Sequence, residues 1–343
     1  MSLNKKLFAG GLPPVENAFN VVTYTGDGAS TKSITGVGFK PDMVWVKARS
    51  SAYSHNLQDS TRGGGTSTAL NPNLTLAEGV YGIYGFVNTF DTDGFTVGTG
   101  SSNNVHVNNN GTTYVAWCWR ANEGSTSSSA VGSITSSVQA NADAGFSIVR
   151  YTGNSSSNQT IGHGLSVIPK TIIVKKLGQT SDWAVYHTGL TSAAYRIKLN
   201  STDGELTSNN PWNSTDPTSS VFTVKSDAGN VNANGQEHIA YCFADIEGFS
   251  KFDSYTGTGS AGHTINVGFA PAFVIVRSLA NAEDWLMFDS ARGNNTVLYA
   301  NTDAAEATYN TFALTSTGFE LPQWGSSNGS GQKYIYMAWG LAD

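Results

Sequence analysis

The side chains in this chain that could do chemistry are few, and most fall at repeated places. The six histidines, His55, His106, His163, His187, His238 and His263, are scattered along the sequence. None sits at a ligand spacing such as His-x-x-x-His, and there is no Cys-x-x-Cys, so a zinc site is not expected. Gly257-Thr258-Gly259-Ser260-Ala261-Gly262 matches a dinucleotide fingerprint. That motif needs a helix opening at its end, and here further strand residues follow, so a hairpin turn is expected. Asp91-Thr92-Asp93-Gly94 echoes the start of a calcium loop without its closing bidentate Glu, which again reads as a turn. Glycoside hydrolysis requires two carboxylates facing across a cleft. The available acids, Asp59, Asp182, Asp284 and Asp289, recur with repeat neighbours: Asp59-Ser60-Thr61-Arg62 matches Asp289-Ser290-Ala291-Arg292, and Asp182-Trp183 matches Asp284-Trp285. An ion pair ordering a turn accounts for the Asp–Arg pattern more simply than catalysis does. Cys118 and Cys242 occupy one repeat position, filled by Ala338 in the third copy, and are expected as inert buried thiols. No enzyme, cofactor or metal is expected.

The elements that carry these residues come in three copies. Tyr24-Thr25-Gly26, Tyr151-Thr152-Gly153 and Tyr255-Thr256-Gly257 open them. A proline and a β-branched run ending in a base follow: Pro41 to Lys47, Pro169 to Lys175, Pro271 to Arg277. At one constant spacing from each proline stand Asp59, His187 and Asp289. Each copy closes on a glycine and an aromatic-rich strand ending at Trp119, Phe243 and Trp339. A repeat of about a hundred residues has the size of a domain and is too long for a solenoid unit. Short segments rich in Val, Ile, Thr, Tyr and Phe, bounded by Gly, Asn and Asp, read as strands. The expected fold is all-β: three tandem β-sandwich, jelly-roll-like domains of one kind, at 19–121, 145–245 and 246–343. Residues 1–18 read as an N-terminal attachment peptide, with Lys5, Lys6, Leu7 and Phe8 as its anchor. Residues 122–144 read as a Ser/Gly/Ala-rich linker in which Val131, Ile134 and Val138 could add an edge strand. With no linker before the third domain, domains two and three are expected to stack rigidly and domain one to be freer.

Of the 343 residues only 13% are charged, and the net charge is −6. The surface is therefore expected to be neutral and polar, without the basic footprint that nucleic acid demands. No apolar run approaches the roughly 20 residues of a membrane helix, and the opening residues do not form a secretory signal. Tyr81 and Tyr84 lie in a Gly/aromatic loop. Together with Trp212 and Trp324 they are the candidate surface-contact aromatics, for a host glycan or a protein partner.

The repeated pattern Tyr-Thr-Gly, Gly-Phe-x-Pro-x-x-Val-x-Val-Lys, Asp-Ser-x-Arg-Gly, Asp-Gly-Phe-Thr-Val-Gly and Asn-x-Asn-Gly-x-x-Tyr-Val-Ala-Trp-Cys-Trp resembles a β-rich domain of marine and cyanobacterial tailed-phage virion proteins, described as tail-fibre-like. It covers Phe19 to Trp339. The resemblance implies a virion structural protein without catalytic residues, made in a bacterial host's cytoplasm and exposed on the particle. A tail fibre or tail appendage is expected, with a capsid decoration protein as the alternative and a polysaccharide depolymerase as a remote one. Such appendages are commonly homotrimers, so itself, other virion proteins and a host glycan are the expected partners.

Overall fold

The computed structural model describes residues 17–341 apart from 209, 227–229 and 281. The anchor residues Lys5, Lys6, Leu7 and Phe8 lie outside the described residues. The protein is all-β, with helix among the described residues confined to single short turns. Each copy builds an inner antiparallel sheet in one order: an opening strand, a closing strand, the strand that follows the proline, and a short strand. In the first copy these are Phe19–Thr25, Thr113–Trp119, Met43–Ala48 and Asn56–Asp59. The second has Phe146–Thr152, Glu237–Phe243, Thr171–Lys176 and Ala184–His187, and the third Ser250–Thr256, Lys333–Gly340, Pro271–Ser278 and Trp285–Asp289. Opening and closing strands pair in the same register throughout, Tyr24 opposite Tyr114, Tyr151 opposite His238 and Tyr255 opposite Tyr334. In each pair the rings stack at 5.1 Å, a cross-strand contact of the kind that fixes sheet register.

A smaller outer sheet completes each sandwich: Thr31–Thr35, Gly94–Gly98 and Phe86–Asp91 in the first unit, Gln159–Gly162 with Val221–Val224 in the second, and His263–Asn266, Gly318–Leu321 and Ala313–Leu314 in the third. One face of the inner sheet packs on it. In the first unit Tyr114, Ala116 and Cys118 meet Phe95 and Val97 there. The alternate residues Val115, Trp117 and Trp119 face the other way, into a single core that also takes Ile239, Tyr241 and Phe243 from the second unit and Ile335, Met337 and Trp339 from the third. Both faces of each inner sheet are thus covered, which is why every residue of the proline strands is buried and why they read as unbroken apolar runs.

The three units close a ring. Trp119, Phe243 and Trp339, equivalent by repeat, meet one another at ring-centroid distances of 6.2, 5.3 and 5.5 Å. Around them lies a cavity of about 20 Å³ lined by apolar side chains that include Trp45, Trp183 and Met337, a lining that keeps such a space dry. Two expectations change. The first unit is not freer than the others, because half of its inner sheet's side chains belong to the common core. Residues 122–144 are not a free linker either: Ser127–Ser129 and Ser136–Asn141 are strands added to the second unit's inner sheet. Val138 and Ile134, at 5% and 7% exposure, join that unit's sandwich core.

Candidate functional site

The acidic positions picked out by the repeat lie where one unit meets the next. Asp59 ends the first unit's short strand, and its Oδ2 accepts from Arg62 Nε at 2.7 Å and from Tyr241 Oη of the second unit at 2.7 Å. Asp289 repeats this between the third unit and the first: Oδ2 accepts from Arg292 Nε at 2.6 Å and from Trp117 Nε1 at 3.1 Å. Each arginine also holds a second acid, Glu78 at 3.1 Å and Glu306 at 3.2 Å. Burial opposes the charge on Arg62, yet Asp59, Tyr241 and Glu78 outweigh it and hold its pKa above the usual value. Burial, followed by Asp59, pushes the Tyr241 phenol well up, so it stays a donor. The within-loop ion pair expected from Asp-Ser-x-Arg is present, and it serves as an intersubunit-like clasp inside one chain.

The second unit joins the third differently. His187 stands in place of Asp, Leu190 in place of Arg, and the facing residue is Met337 rather than Tyr or Trp. Gly189 N donates to His187 Nδ1 at 2.9 Å, which leaves Nε2 to donate to the Tyr336 carbonyl at 3.1 Å. Burial lowers the His187 pKa to about 4, so the ring is neutral.

A second set of contacts runs around the same cycle. His55, Trp183 and Trp285 are equivalent. Trp183 Nε1 donates to the carbonyls of Asn71 and Leu74 in the first unit at 3.2 and 3.1 Å, and Trp285 Nε1 to Lys198 in the second at 2.9 Å. His55 Nε2 reaches Tyr299 and Thr302 in the third unit at 3.0 and 2.9 Å, while Trp45 Nε1 donates to its Nδ1 at 2.8 Å. The first unit has exchanged partners in its core: Trp45 and His55 stand where the others have Ile173 with Trp183 and Ile275 with Trp285. Such a swap keeps the total volume. The bases ending the proline strands are fully buried as well. Lys175 Nζ donates to Thr75 of the first unit at 2.9 Å and to Ser181 at 2.6 Å, and Arg277 Nη2 to Asp203 of the second unit at 2.5 Å. Lys47 Nζ donates to Ala48 at 2.7 Å. Burial lowers both lysines to about 7.

The remaining motifs are turns. Asp93 accepts from Gly36 and Gly38 amides at 3.1 and 2.6 Å, and Asp91 from Thr96 at 2.7 Å. No group of three metal-ligating side chains occurs among the described residues. Gly257 does not open the expected hairpin: Ser250–Thr256 belongs to the inner sheet and His263–Asn266 to the outer one, so the glycine starts the crossing between them, and a β-carbon on it would lie 2.3 Å from the Gly329 carbonyl oxygen. Gly26 has the same close approach, 2.2 Å to the Asn109 oxygen. The Tyr-Thr-Gly signature therefore records backbone crowding rather than a nucleotide. Cys118 and Cys242 are free and buried, and burial pushes the Cys242 thiol up to about 12.

The four aromatics fare unequally. Trp212 is 1% exposed and packs on Tyr186 inside the second sandwich, at 5.9 Å; it is a core residue, and the surface expectation fails there because the loop after Pro211 folds inward. Trp324 is 40% exposed, with one edge held by Tyr309 at 4.3 Å. Tyr81 and Tyr84 are half-buried, edge to face at 5.1 Å, with His106 against both rings. Their loop packs on its own unit, since a β-carbon on Gly82 would sit 2.1 Å from the Thr66 oxygen.

A family model described as a domain of unknown function, DUF7483, matches residues 15–341. The chain belongs to the DUF7483 family. No protein of curated function matches it. The DUF7483 match runs through all three repeats as one unit, in keeping with their common core. Sequence reasoning missed the junctions of this ring. A signal for them was present: the Asp-to-His and Arg-to-Leu changes at His187 and Leu190 are matched by the aromatic-to-Met change at Met337, in a distant stretch of the chain.

Proposed function

We propose that this DUF7483 chain is a non-enzymatic structural protein of a tailed-phage virion, a tail fibre or tail-associated appendage made in the bacterial cytoplasm and displayed on the particle. The observation that carries this reading is where the reactive side chains go. Asp59, Asp289, His55, His187, Lys175 and Arg277 all hold one unit to the next in buried positions. The surface left over is neutral, rich in Ser, Thr, Asn and Gly, with Tyr81, Tyr84 and Trp324 as partly exposed contact aromatics for a host glycan. In this reading Lys5, Lys6, Leu7 and Phe8 anchor the chain to another virion protein. Self-association, as a homotrimer, uses the outer surfaces, because the inner faces are already spent within the chain. No membrane or nucleic-acid contact is part of it, and no helix among the described residues is long and apolar enough to cross a membrane.

Antibody labelling of intact particles whose genome encodes this chain tests the reading. Label on the tail is the expected result. Label over the head shell would transfer the protein to capsid decoration, and unlabelled particles would reject a virion role. Release of sugar ends from host surface polysaccharide by the purified protein would reject the non-enzymatic part.

A further inference from the structure

The six histidines are spread over all three units, and among the described residues only two of them bond a neighbouring unit. Both bond the third. His55 sits where the other units have Trp183 and Trp285, and its Nε2 reaches the Tyr299 and Thr302 carbonyls at 3.0 and 2.9 Å. His187 sits where the others have Asp59 and Asp289, and its Nε2 reaches the Tyr336 carbonyl at 3.1 Å. The remaining four stay within their own units: His106 lies against Tyr81 and Tyr84, His163 bonds the Thr218 carbonyl, His238 stacks on Tyr151 and His263 bonds Asn328. The third unit is thus held on one flank by an imidazole of the first and on the other by an imidazole of the second. Where the first unit meets the second, the same two places are filled by Trp183 and Asp59.

Each of these two rings is fixed as a neutral donor. A ring nitrogen that faces an N–H must carry the lone pair: Trp45 Nε1 donates to His55 Nδ1 at 2.8 Å, and the Gly189 amide donates to His187 Nδ1 at 2.9 Å. The one proton on each ring sits on Nε2 and is given to the third unit. A second proton would set N–H against N–H in a buried place, so the ring can take it up only when the contact breaks. Nearby charges do not favour a charged ring at His55: it faces Lys47 and His106, both bases of its own unit, while Arg292 and Asp303 of the third unit act on Lys47 beyond it. His187 faces Asp253 of the third unit, which favours the charged ring, and Lys333, which opposes it. Burial holds both rings below the ordinary 6.5. The stability they lend is therefore complete above 6.5 and is lost as pH falls.

We propose that acid releases the third unit from the other two as a body, while the first and second stay joined. The proposal goes beyond the virion reading and does not depend on it. Carboxylates cannot make this distinction. Asp59, Arg62 and Glu78 between the first and second units match Asp289, Arg292 and Glu306 between the third and first, so protonation of the acids loosens both junctions alike. The first and second units have a further tie, since Gln139 on the added strand donates to Ser60 and Thr61 of the first unit at 3.0 and 2.9 Å. The third unit follows the second through 244–249 alone, and this one connection is the hinge on which it swings. It keeps a sandwich core of its own around Val274, Phe288, Phe319 and Tyr334. Its release uncovers Phe273, Ile275 and Trp339, which in the closed ring lie in the common core.

The test places dye pairs on the full chain, in the exposed turns that follow each Tyr-Thr-Gly. Ser30→Cys, Ser157→Cys and Ser260→Cys are combined two at a time and labelled at pH 7, where Cys118 and Cys242 are buried. Energy transfer is followed from pH 7 to 4, with far-ultraviolet circular dichroism as the check that the strands persist. Transfer should fall for both pairs that include residue 260 and hold for the pair 30 and 157, with the strand signal kept. Trp45→Ile with His55→Trp copies the core of the other units; joined to His187→Gln, it should move the fall down by about one pH unit or more. If that combination lacks the strand signal at pH 7, His55→Gln with His187→Gln is read in its place. A fall of all three pairs together would overturn the proposal. So would a fall that comes only with loss of the strand signal, or one that the histidine variants leave at the same pH.

Discussion

The junctions around the ring fall into two kinds. Where the first unit meets the second, and the third meets the first, a buried Asp–Arg pair takes a hydrogen bond from an aromatic donor of the neighbouring closing strand. Where the second meets the third, a neutral histidine bonds a backbone carbonyl beside Met337. The same geometric place is served by a charge network in two cases and by packing in one. A buried ion pair is therefore not required to hold these sheets together. It does specify which donor belongs opposite, because a carboxylate facing methionine would be left without its partner. Removing one member of a buried pair costs far more than never having had the pair, and the three junctions display both conditions inside one chain.

The sharpest break of this comparison is Asp289→Ala or Asp59→Ala. Each takes from a buried arginine the more buried of its two acids and leaves an aromatic donor unpaired, with an expected loss of about 3 kcal/mol or more. His187→Ala should lose only about 1–2 kcal/mol. Urea unfolding midpoints compare them, and equal losses would erase the distinction. Next in size is a graft. His187→Asp alone places a carboxylate where no arginine waits and should cost about 2–4 kcal/mol. Adding Leu190→Arg and Met337→Tyr should recover most of that loss, and a triple variant no better than the single would show that the clasp needs more than these three side chains.

The junctions also differ in pH response. Burial holds His187 at about 4, below the ordinary 6.5 of the unfolded chain. Between those values the unfolded state binds the extra proton, so the stability it contributes is complete above 6.5 and is lost as pH falls toward 4. His106 and His238 are lowered to about 4 as well and share the direction. Unfolding measured from pH 7 to 4 should steepen in this window, and His187→Gln should flatten it by the share of one proton. The smallest effect is expected at the rim of the closing junction. Arg49 and Glu306 form a two-point pair at 3.0 Å in partly exposed positions. Arg49→Gln should cost about 0.5–1 kcal/mol, and a much larger loss would move the closure of the ring from the buried acid to this outer pair.

Much of this was legible in the residues. Tyr-Thr-Gly, the proline strand and the closing strand mark every unit at the right place, because strand alternation and turn glycines are local properties. The ring was not legible from them. Alternation says that Val115, Trp117 and Trp119 share a face, but not whether another unit covers it. The clue was the proline strand, apolar on both faces, which only a doubly covered sheet explains. Trp212 misled because a tryptophan among Asn, Pro and Ser resembles a surface loop, whereas Pro211 and the Asn210 side chain, accepting the Trp212 amide at 3.2 Å, turn it inward. The Ser-rich stretch before the second unit has a linker's composition, yet Val138 and Ile134 at strand spacing were sufficient to seat it.

The closing contact joins residues 257 apart in sequence, and this has a consequence for synthesis. At ribosomal rates of about 5–20 residues per second, the first unit waits some 10–50 s between its own emergence and that of its last neighbour. During that interval Trp45, Trp117 and Trp119 have no third sheet to lie against. A nascent chain of this kind exposes a broad aromatic face for most of its translation, so its yield depends on elongation speed and on whatever shields that face until the ring can shut.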